Sequence, residues 1–319
     1  MLRKDMTLPV PYHETLDIHD ASKINQFLDC PRQYFYRYVL GWTLSGSNLH
    51  LVFGQAWHNA MEHLLLHGYG DESVVNAYKA FMSHWEMFPN MEDHKSKNPT
   101  NALLALTQYV VTYAKDNFKV LYTEVAGNVL ISKNRQLHFR LDAVCEGKDG
   151  KKFILEHKTG SRLSQAWTDQ WMNSFQIWLY THALFSGYDI GEVYGVRVNG
   201  AIFKTKTVDL LRVPIRKSWD VMSEGVWAAN HYMDMIDWNF NSLSKCSPDD
   251  KYMGAFPKNP QSCTKYFGCP YFDMCTLWAN PLTHIAKVPI GYELQRWNPS
   301  DNDSTAKAIL DDGKVIPNE

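Results

Sequence analysis

The spacing of apolar and polar residues changes period several times along the chain, and each change marks an element. Over 139–160, FRLDAVCEGKDGKKFILEHKTG, the two kinds alternate on either side of the Gly/Asp/Lys-rich segment 146–152, which predicts two short strands joined by a tight turn. Side chains two apart on a strand share a face. Arg140, Asp142 and Val144 therefore point one way and Leu141, Ala143 and Cys145 the other, while on the return strand Ile154, Glu156 and Lys158 oppose Phe153, Leu155 and His157. Upstream the spacing is helical. One helix starts near Ser22, a residue able to cap it, and runs through Ile24, Phe27 and Leu28 to Cys30-Pro31. Others are predicted over 53–66, FGQAWHNAMEHLLL, and over about 72–86 and 101–118, with the polar stretch 90–100 as a loop between the last two. Strands are expected at about 128–133, 137–146 and 152–157, then a helix over 168–186 ending at Gly187, a strand over 193–204 and a long helix over 217–238. A polar linker, 241–251, leads to FPKNPQSCTKYFGCPYFDMC, and from about Asn298 the pattern is that of a poorly ordered tail. Residues 1–20 read as irregular, and no internal repeat is present.

Length and composition narrow the class. The 319 residues, 45% of them apolar, suffice for one large domain or a domain with an accessory lobe. No run of eighteen apolar residues occurs and the N-terminus lacks a signal-peptide stretch, so the expectation is a cytoplasmic protein without a membrane partner. A formal net charge of -2 argues against coating nucleic acid by bulk electrostatics but permits a local basic strip.

The hairpin is where chemistry is expected. Asp142, Glu156 and Lys158 converge on one side of it, and clustered carboxylates are costly to desolvate unless a cation neutralises them, commonly a divalent metal with oxygen ligands. Lys158 is placed to orient water or steady developing negative charge. The alternative is a surface hairpin carrying a solvated ion pair. On the 53–66 helix His58 is a packing residue or a ligand, depending on its company. On the 168–186 helix Gln176 and Tyr180, four apart, form a polar pair on an apolar, aromatic surface. The segment 32–40, RQYFYRYVL, suits either packing under the core or stacking on bases. Six cysteines in a chain expected in the cytosol point to metal binding or burial rather than disulfides.

In this order, a helix with His58, a hairpin with Asp142 and Glu156-His157-Lys158, a helix with Gln176 and Tyr180, one cysteine before and three after, the chain resembles the PD-(D/E)XK nucleases. The likeness is to the RecB-type exonuclease branch with an iron–sulfur cluster, which includes the CRISPR-associated RecB-like exonucleases and the nuclease domain of AddB. It spans roughly residues 22–278 and rests on about ten positions. The resemblance implies an α/β fold, a restriction-endonuclease-like core with a mixed central sheet flanked by helices, and a helical lobe built from both chain ends around the cluster. The domains implied are an arm at 1–21, the lobe at 22–52 and 241–280, a nuclease core at 53–240 with a helical insertion at about 70–120, and a tail at 281–319.

By resemblance, His58, Asp142 and Glu156 are metal ligands, joined by the main-chain carbonyl of His157. Lys158 is the catalytic lysine, acting with Asp142 and Glu156, while Gln176 and Tyr180 support the site and contact DNA. The cofactor would be Mg²⁺ or Mn²⁺, with the histidine favouring Mn²⁺. Cys30, Cys263, Cys269 and Cys275 would bind a [4Fe–4S] cluster, zinc being the rival. Two departures stand out: five residues separate Cys263 from Cys269 where the family usually has two, and Arg140 lies where a glycine often precedes the aspartate. The implied function is exonucleolytic hydrolysis of single- or double-stranded DNA ends, leaving 5′-phosphate and 3′-hydroxyl, in recombination, repair or end processing, with a helicase or recombination protein as partner. A non-catalytic module that grips DNA ends or a partner through the same fold is the alternative.

Overall fold

The computed structural model of the chain describes residues 3–88, 94–265, 268–301, 307–309 and 315–317. In order the elements are α1 (Ala21–Asp29), α2 (Pro31–Tyr34) running on into a π-helical turn (Phe35–Val39), β1 (Trp42–Leu44), α3 (Leu49–His67), α4 (Asp71–Trp85) and α5 (Pro99–Thr112). There follow β2 (Lys119–Ser132), β3 (Arg135–Glu146), β4 (Lys152–Gly160), α6 (Gln165–Met172), α7 (Phe175–Gly187), β5 (Val193–Phe203) and β6 (Val208–Ile215). The last are α8 (Trp219–Leu243), α9 (Phe272–Leu277), β7 (Tyr292–Leu294), β8 (Lys307–Ile309) and β9 (Val315–Pro317). Among the described residues no helix is long and apolar enough to cross a membrane.

Local chemistry explains where the boundaries differ from expectation. The cap of α1 is Asp20, not Ser22: its carboxylate accepts from the Lys23 N–H at 2.8 Å. Helix α3 begins at Leu49 because Asn48 Oδ1 accepts from the N–H groups of His50 and Leu51. The helix expected over 168–186 is two helices, and Ser164 caps the first. Strand β2 starts at Lys119, well before the expected 128, and β6 was not anticipated at all. The paired Leu210 and Leu211 break its alternation and Pro214 argues against a strand, but β6 lies at the sheet edge, where a missing N–H is tolerated. Of the tail from Asn298, β8 and β9 are strands, while 302–306, 310–314 and 318–319 lie outside the described residues.

The sheet order is β6-β5-β4-β3-β2-β8-β9. Its first five strands make a mixed sheet flanked by helices: β4 runs parallel to β5, reached through α6 and α7, whereas β3/β4 and β5/β6 are antiparallel. The chain divides into two units. One comprises Met1–Gly46, Asn128–Phe139 and Asp220–Asp301, the other Ser47–Gly127, Arg140–Trp219 and Asn302–Glu319.

In the second unit α3 is the organising helix. Its Phe53, Trp57 and Met61 are buried against Phe81 and Trp85 of α4, Leu106 and Tyr109 of α5, and Phe203 of β5. The rings of Phe53 and Phe203 meet edge to face, with centroids 4.7 Å apart.

The first unit is packed with aromatics. Tyr34, Phe35 and Tyr36 are fully buried, so the segment 32–40 serves packing. Tyr34 stacks on Phe256, and Tyr36 on Trp42 and Tyr271. Phe256 adopts φ 49°, unusual for a bulky residue, and is held there from both sides: its N–H donates to Asn239 Oδ1 at 2.7 Å and its carbonyl accepts from Arg32 Nε at 2.9 Å.

Candidate active site

The pairing of β3 with β4 sets Ala143 opposite Leu155 and Val144 opposite Ile154, and Asp142 and Glu156, each two residues from that second pair, fall on its face by strand alternation. Directly opposed residues share a face. The two carboxylates thus lie together, and α3 brings an imidazole to them: His58 Nδ1 stands 3.0 Å from Asp142 Oδ1. The other Asp142 oxygen accepts from the His157 main-chain N–H at 2.6 Å. Lys158 Nζ lies 2.7 Å from Glu156 Oε1, whereas Glu156 Oε2 is buried with no hydrogen-bond partner.

Two carboxylates cannot share a dry site on equal terms. Burial and the neighbouring Asp142 charge push Glu156 up to about 7, although Lys158 pulls the other way. Burial would raise Asp142 as well, but His58, His157 and Lys158 hold it well below the usual carboxylate range. Burial would lower both His58 and Lys158, and the carboxylates outweigh it, so both are raised. One acid is therefore firmly ionised and the other poised to hold a proton.

The sign for stability follows. Between 4.5, the ordinary value, and about 7, the folded chain keeps a proton on Glu156 that the unfolded chain has released, so stability falls as pH rises through that window. His58, raised above 6.5, contributes in the same sense at the upper end. The expected result is a Tm of the metal-free protein that declines from pH 4.5 to 7, with the decline reduced in Glu156→Gln. Identical profiles for the two proteins would contradict this electrostatic account.

A buried network fixes the His157 ring. Asn199 Nδ2 lies 2.9 Å from His157 Nδ1 and also donates to Tyr109 OH at 3.0 Å, and Asn199 Oδ1 accepts from Arg212 Nε. Arg212 in turn grips both oxygens of Asp116 at 2.6 Å. Arg212 is thus spent on an interior ion pair. On α7 Gln176 Nε2 donates to Tyr180 OH at 2.8 Å.

In the other unit Cys30, Cys263, Cys269 and Cys275 all line one cavity of about 210 Å³, together with Gln33, Asn259 and Phe272. Early and late segments of this unit meet there. Asn259 N–H approaches Cys30 Sγ at 3.4 Å, and the Asp29 carbonyl accepts from Ser262 Oγ and Asn259 Nδ2, both at 2.7 Å. Burial pushes Cys269 up, and Cys275 up to about 11. Cys145 stands apart, fully buried with Phe153 and Leu155, and Cys246 does not line the cavity.

The PD-(D/E)XK nuclease superfamily matches residues 21–276, a span that takes in the hairpin, His58, Gln176, Tyr180 and these four cysteines. The chain belongs to that superfamily. PD-(D/E)XK proteins are generally nucleases that hydrolyse phosphodiester bonds, and they usually use Mg²⁺ or Mn²⁺. A solved structure titled "Crystal structure of SSO0001" aligns over 70% of this chain and 78% of that one, at 12% identity and a TM-score of 0.30. No curated protein matches the sequence.

For a PD-(D/E)XK protein the question is whether these donors suit a metal. Among the described residues no group of three or more His, Cys, Asp and Glu side chains is arranged to hold an ion as it stands. Asp142 is engaged by His58 and the His157 N–H, and one Glu156 oxygen by Lys158. The donor chemistry nevertheless fits. A buried carboxylate oxygen without a partner, beside a second carboxylate and an imidazole, lacks only a cation to complete it.

Sequence reasoning missed Glu124. It lies on β2, 8% exposed, in the left-handed conformation (φ 52°), and accepts from Arg140 Nε at 2.8 Å and Nη2 at 2.5 Å. Burial and the Asp142 charge raise it. Arg140, on the face of Asp142, thus brings its own carboxylate to the site. No signal marked Glu124, because the strand pattern of β2 becomes clear only after it. Trp171 on α6 was given no role by the sequence, yet its ring covers Lys158, with Nζ 5.6 Å from the ring centroid.

Proposed function

We propose that this PD-(D/E)XK protein is a divalent-metal-dependent deoxyribonuclease of the RecB-type branch, degrading DNA exonucleolytically from its ends in recombination, repair or end processing. The observation that carries the reading is the buried Asp142–Glu156 pair, with one Glu156 oxygen unpartnered, between an imidazole and an ammonium. A structural ion pair would not leave a buried carboxylate oxygen unmet.

Asp142, Glu156, His58 and the His157 carbonyl would hold Mg²⁺ or Mn²⁺. When bound, the ion supplies Lewis-acid polarisation of the phosphate and makes water more acidic. In the hydrolysis water attacks phosphorus, the bond from phosphorus to the 3′ oxygen breaks, and that oxygen takes a proton, leaving 5′-phosphate and 3′-hydroxyl. The chain supplies position and charge. His58 and the His157 N–H fix the orientation of Asp142. Lys158, kept protonated by its carboxylate neighbours, presents positive charge to the phosphate, and the Trp171 ring beside it excludes water. Asn199 and Arg212 anchor the His157 ring, and so would steady the backbone carbonyl proposed to hold the ion. Gln176 and Tyr180 would support the site from α7 and contact DNA.

A [4Fe–4S] cluster on Cys30, Cys263, Cys269 and Cys275 is the second part of the proposal. A single zinc draws its four sulfurs to about 2.3 Å and leaves no space between them. The four thiols share a cavity of about 210 Å³ with seven other described residues, room enough for a bulkier inorganic group.

Labelled linear and circular DNA, offered with Mn²⁺, test the reading. The wild type is expected to shorten linear strands and spare circles. Asp142→Asn should lose both this activity and Mn²⁺ binding by calorimetry. Digestion that survives in Asp142→Asn removes the proposed site, and digestion of circles removes the exonuclease assignment.

A further inference from the structure

Between α4 and α5 a lysine is buried with no carboxylate partner among the described residues. Lys97 is 4% exposed, its Nζ donates to Thr159 Oγ1 at 3.0 Å, and it lies over the Phe53 ring at 5.7 Å. Among the described residues no carboxylate pairs with it. An ammonium carries three donors, and the protein accepts from one. Lysine is almost never buried unless paired, and a buried charge without a partner is costly. Burial pushes Lys97 down to about 8.

Its described surroundings include two histidines. Exposed His94 comes from the same connection, and its ring meets that of exposed His50, near the start of α3, with centroids 5.8 Å apart. Lys97 and His94 both act on His50 as positive neighbours. Thr159, the anchor, follows Lys158 directly on β4, three residues from Glu156, which is about 10 Å along a strand. The connection between α4 and α5 thus brings to β4 a cation that no carboxylate among the described residues compensates.

We propose that Lys97, Thr159, His50 and His94 form a phosphate subsite, gripping the nucleic-acid backbone away from the bond that is cut. This rests on the nuclease reading above and extends it to how the strand is held. The phosphate supplies the missing counter-charge, the unused Lys97 donors bind its oxygens, and the histidines and the threonine hydroxyl line its approach.

The test separates substrate binding from structural support. Single-stranded DNA binding is measured in chelator, so that hydrolysis does not intervene, for the wild type, Lys97→Met and Lys97→Arg. Lys97→Met is expected to bind on the order of tenfold more weakly, and its plot of log affinity against log salt should be shallower by about 0.7. It should also melt at a higher temperature than the wild type, because an unpaired buried charge has been removed. Lys97→Arg should keep the salt slope. As a check that needs no substitution, oligonucleotides with one neutral methylphosphonate linkage should bind the wild type less well when that linkage meets the subsite, and Lys97→Met should not distinguish them. A wild type that digests DNA while Lys97→Met keeps its affinity and salt slope overturns the subsite and leaves the nuclease reading intact. A wild type that neither binds nor digests DNA overturns both.

Discussion

Lys158→Ala is expected to lower the rate of DNA hydrolysis by about 10²–10³ with little effect on folding. The lysine is one of two cationic groups beside the carboxylates, and its Nζ lies 2.7 Å from Glu156 Oε1. Removing it frees a second Glu156 oxygen for a metal, so Mn²⁺ affinity should hold or rise while turnover collapses. That opposition is the useful part of the result. A purely structural ion pair predicts the reverse, a loss of stability with nothing to measure in turnover. Single-turnover digestion under saturating Mn²⁺, read beside calorimetric titration of the same preparations, checks it. Wild-type rates in Lys158→Ala would show that the ammonium takes no part in the chemistry.

Cys30→Ser is expected to have the largest effect on the fold. Cys30 follows α1 near one end of the chain, and Cys263, Cys269 and Cys275 lie near the other, so a group bound by all four closes a loop of more than two hundred residues. By the chain-entropy argument such a closure stabilises by on the order of 5 kcal/mol, a fall in Tm on the order of 10 °C on removal. Protein purified without oxygen should be brown and hold iron and sulfide, and Cys30→Ser should lose both. Colourless wild-type protein carrying one equivalent of zinc would replace the cluster with the rival ion. Some cohesion should survive either way, because Asn259 and Ser262 bond directly to the Asp29 carbonyl.

Much of the local architecture was legible before any coordinates. Alternation marked β3 and β4, and helical spacing marked α3 and α8. The strand period of two placed Asp142, Glu156 and Lys158 on common faces, and the structure brings Lys158 to 2.7 Å from Glu156 and the Asp142 charge to bear on Glu156. Where local signals were weak or mixed, the reading slipped. Asn48 and Asp20 capped helices from positions the pattern did not favour. Strand β6, with two adjacent leucines and a proline, forms because an edge place in the sheet was open to it.

The sequence by itself determined which residues could share a face, because strand and helix periods are properties of the backbone. It also supplied the donors: a histidine, two carboxylates, a lysine and four cysteines. Only the tertiary structure decided which distant groups meet. His58 joins Asp142 across more than eighty residues, Glu124 turns inward onto Arg140, and Lys97 is buried against Thr159 with no carboxylate partner among the described residues. Burial and pairing arise from packing between elements far apart in the chain, and they set the charge on a carboxylate or an ammonium more strongly than any neighbour in sequence.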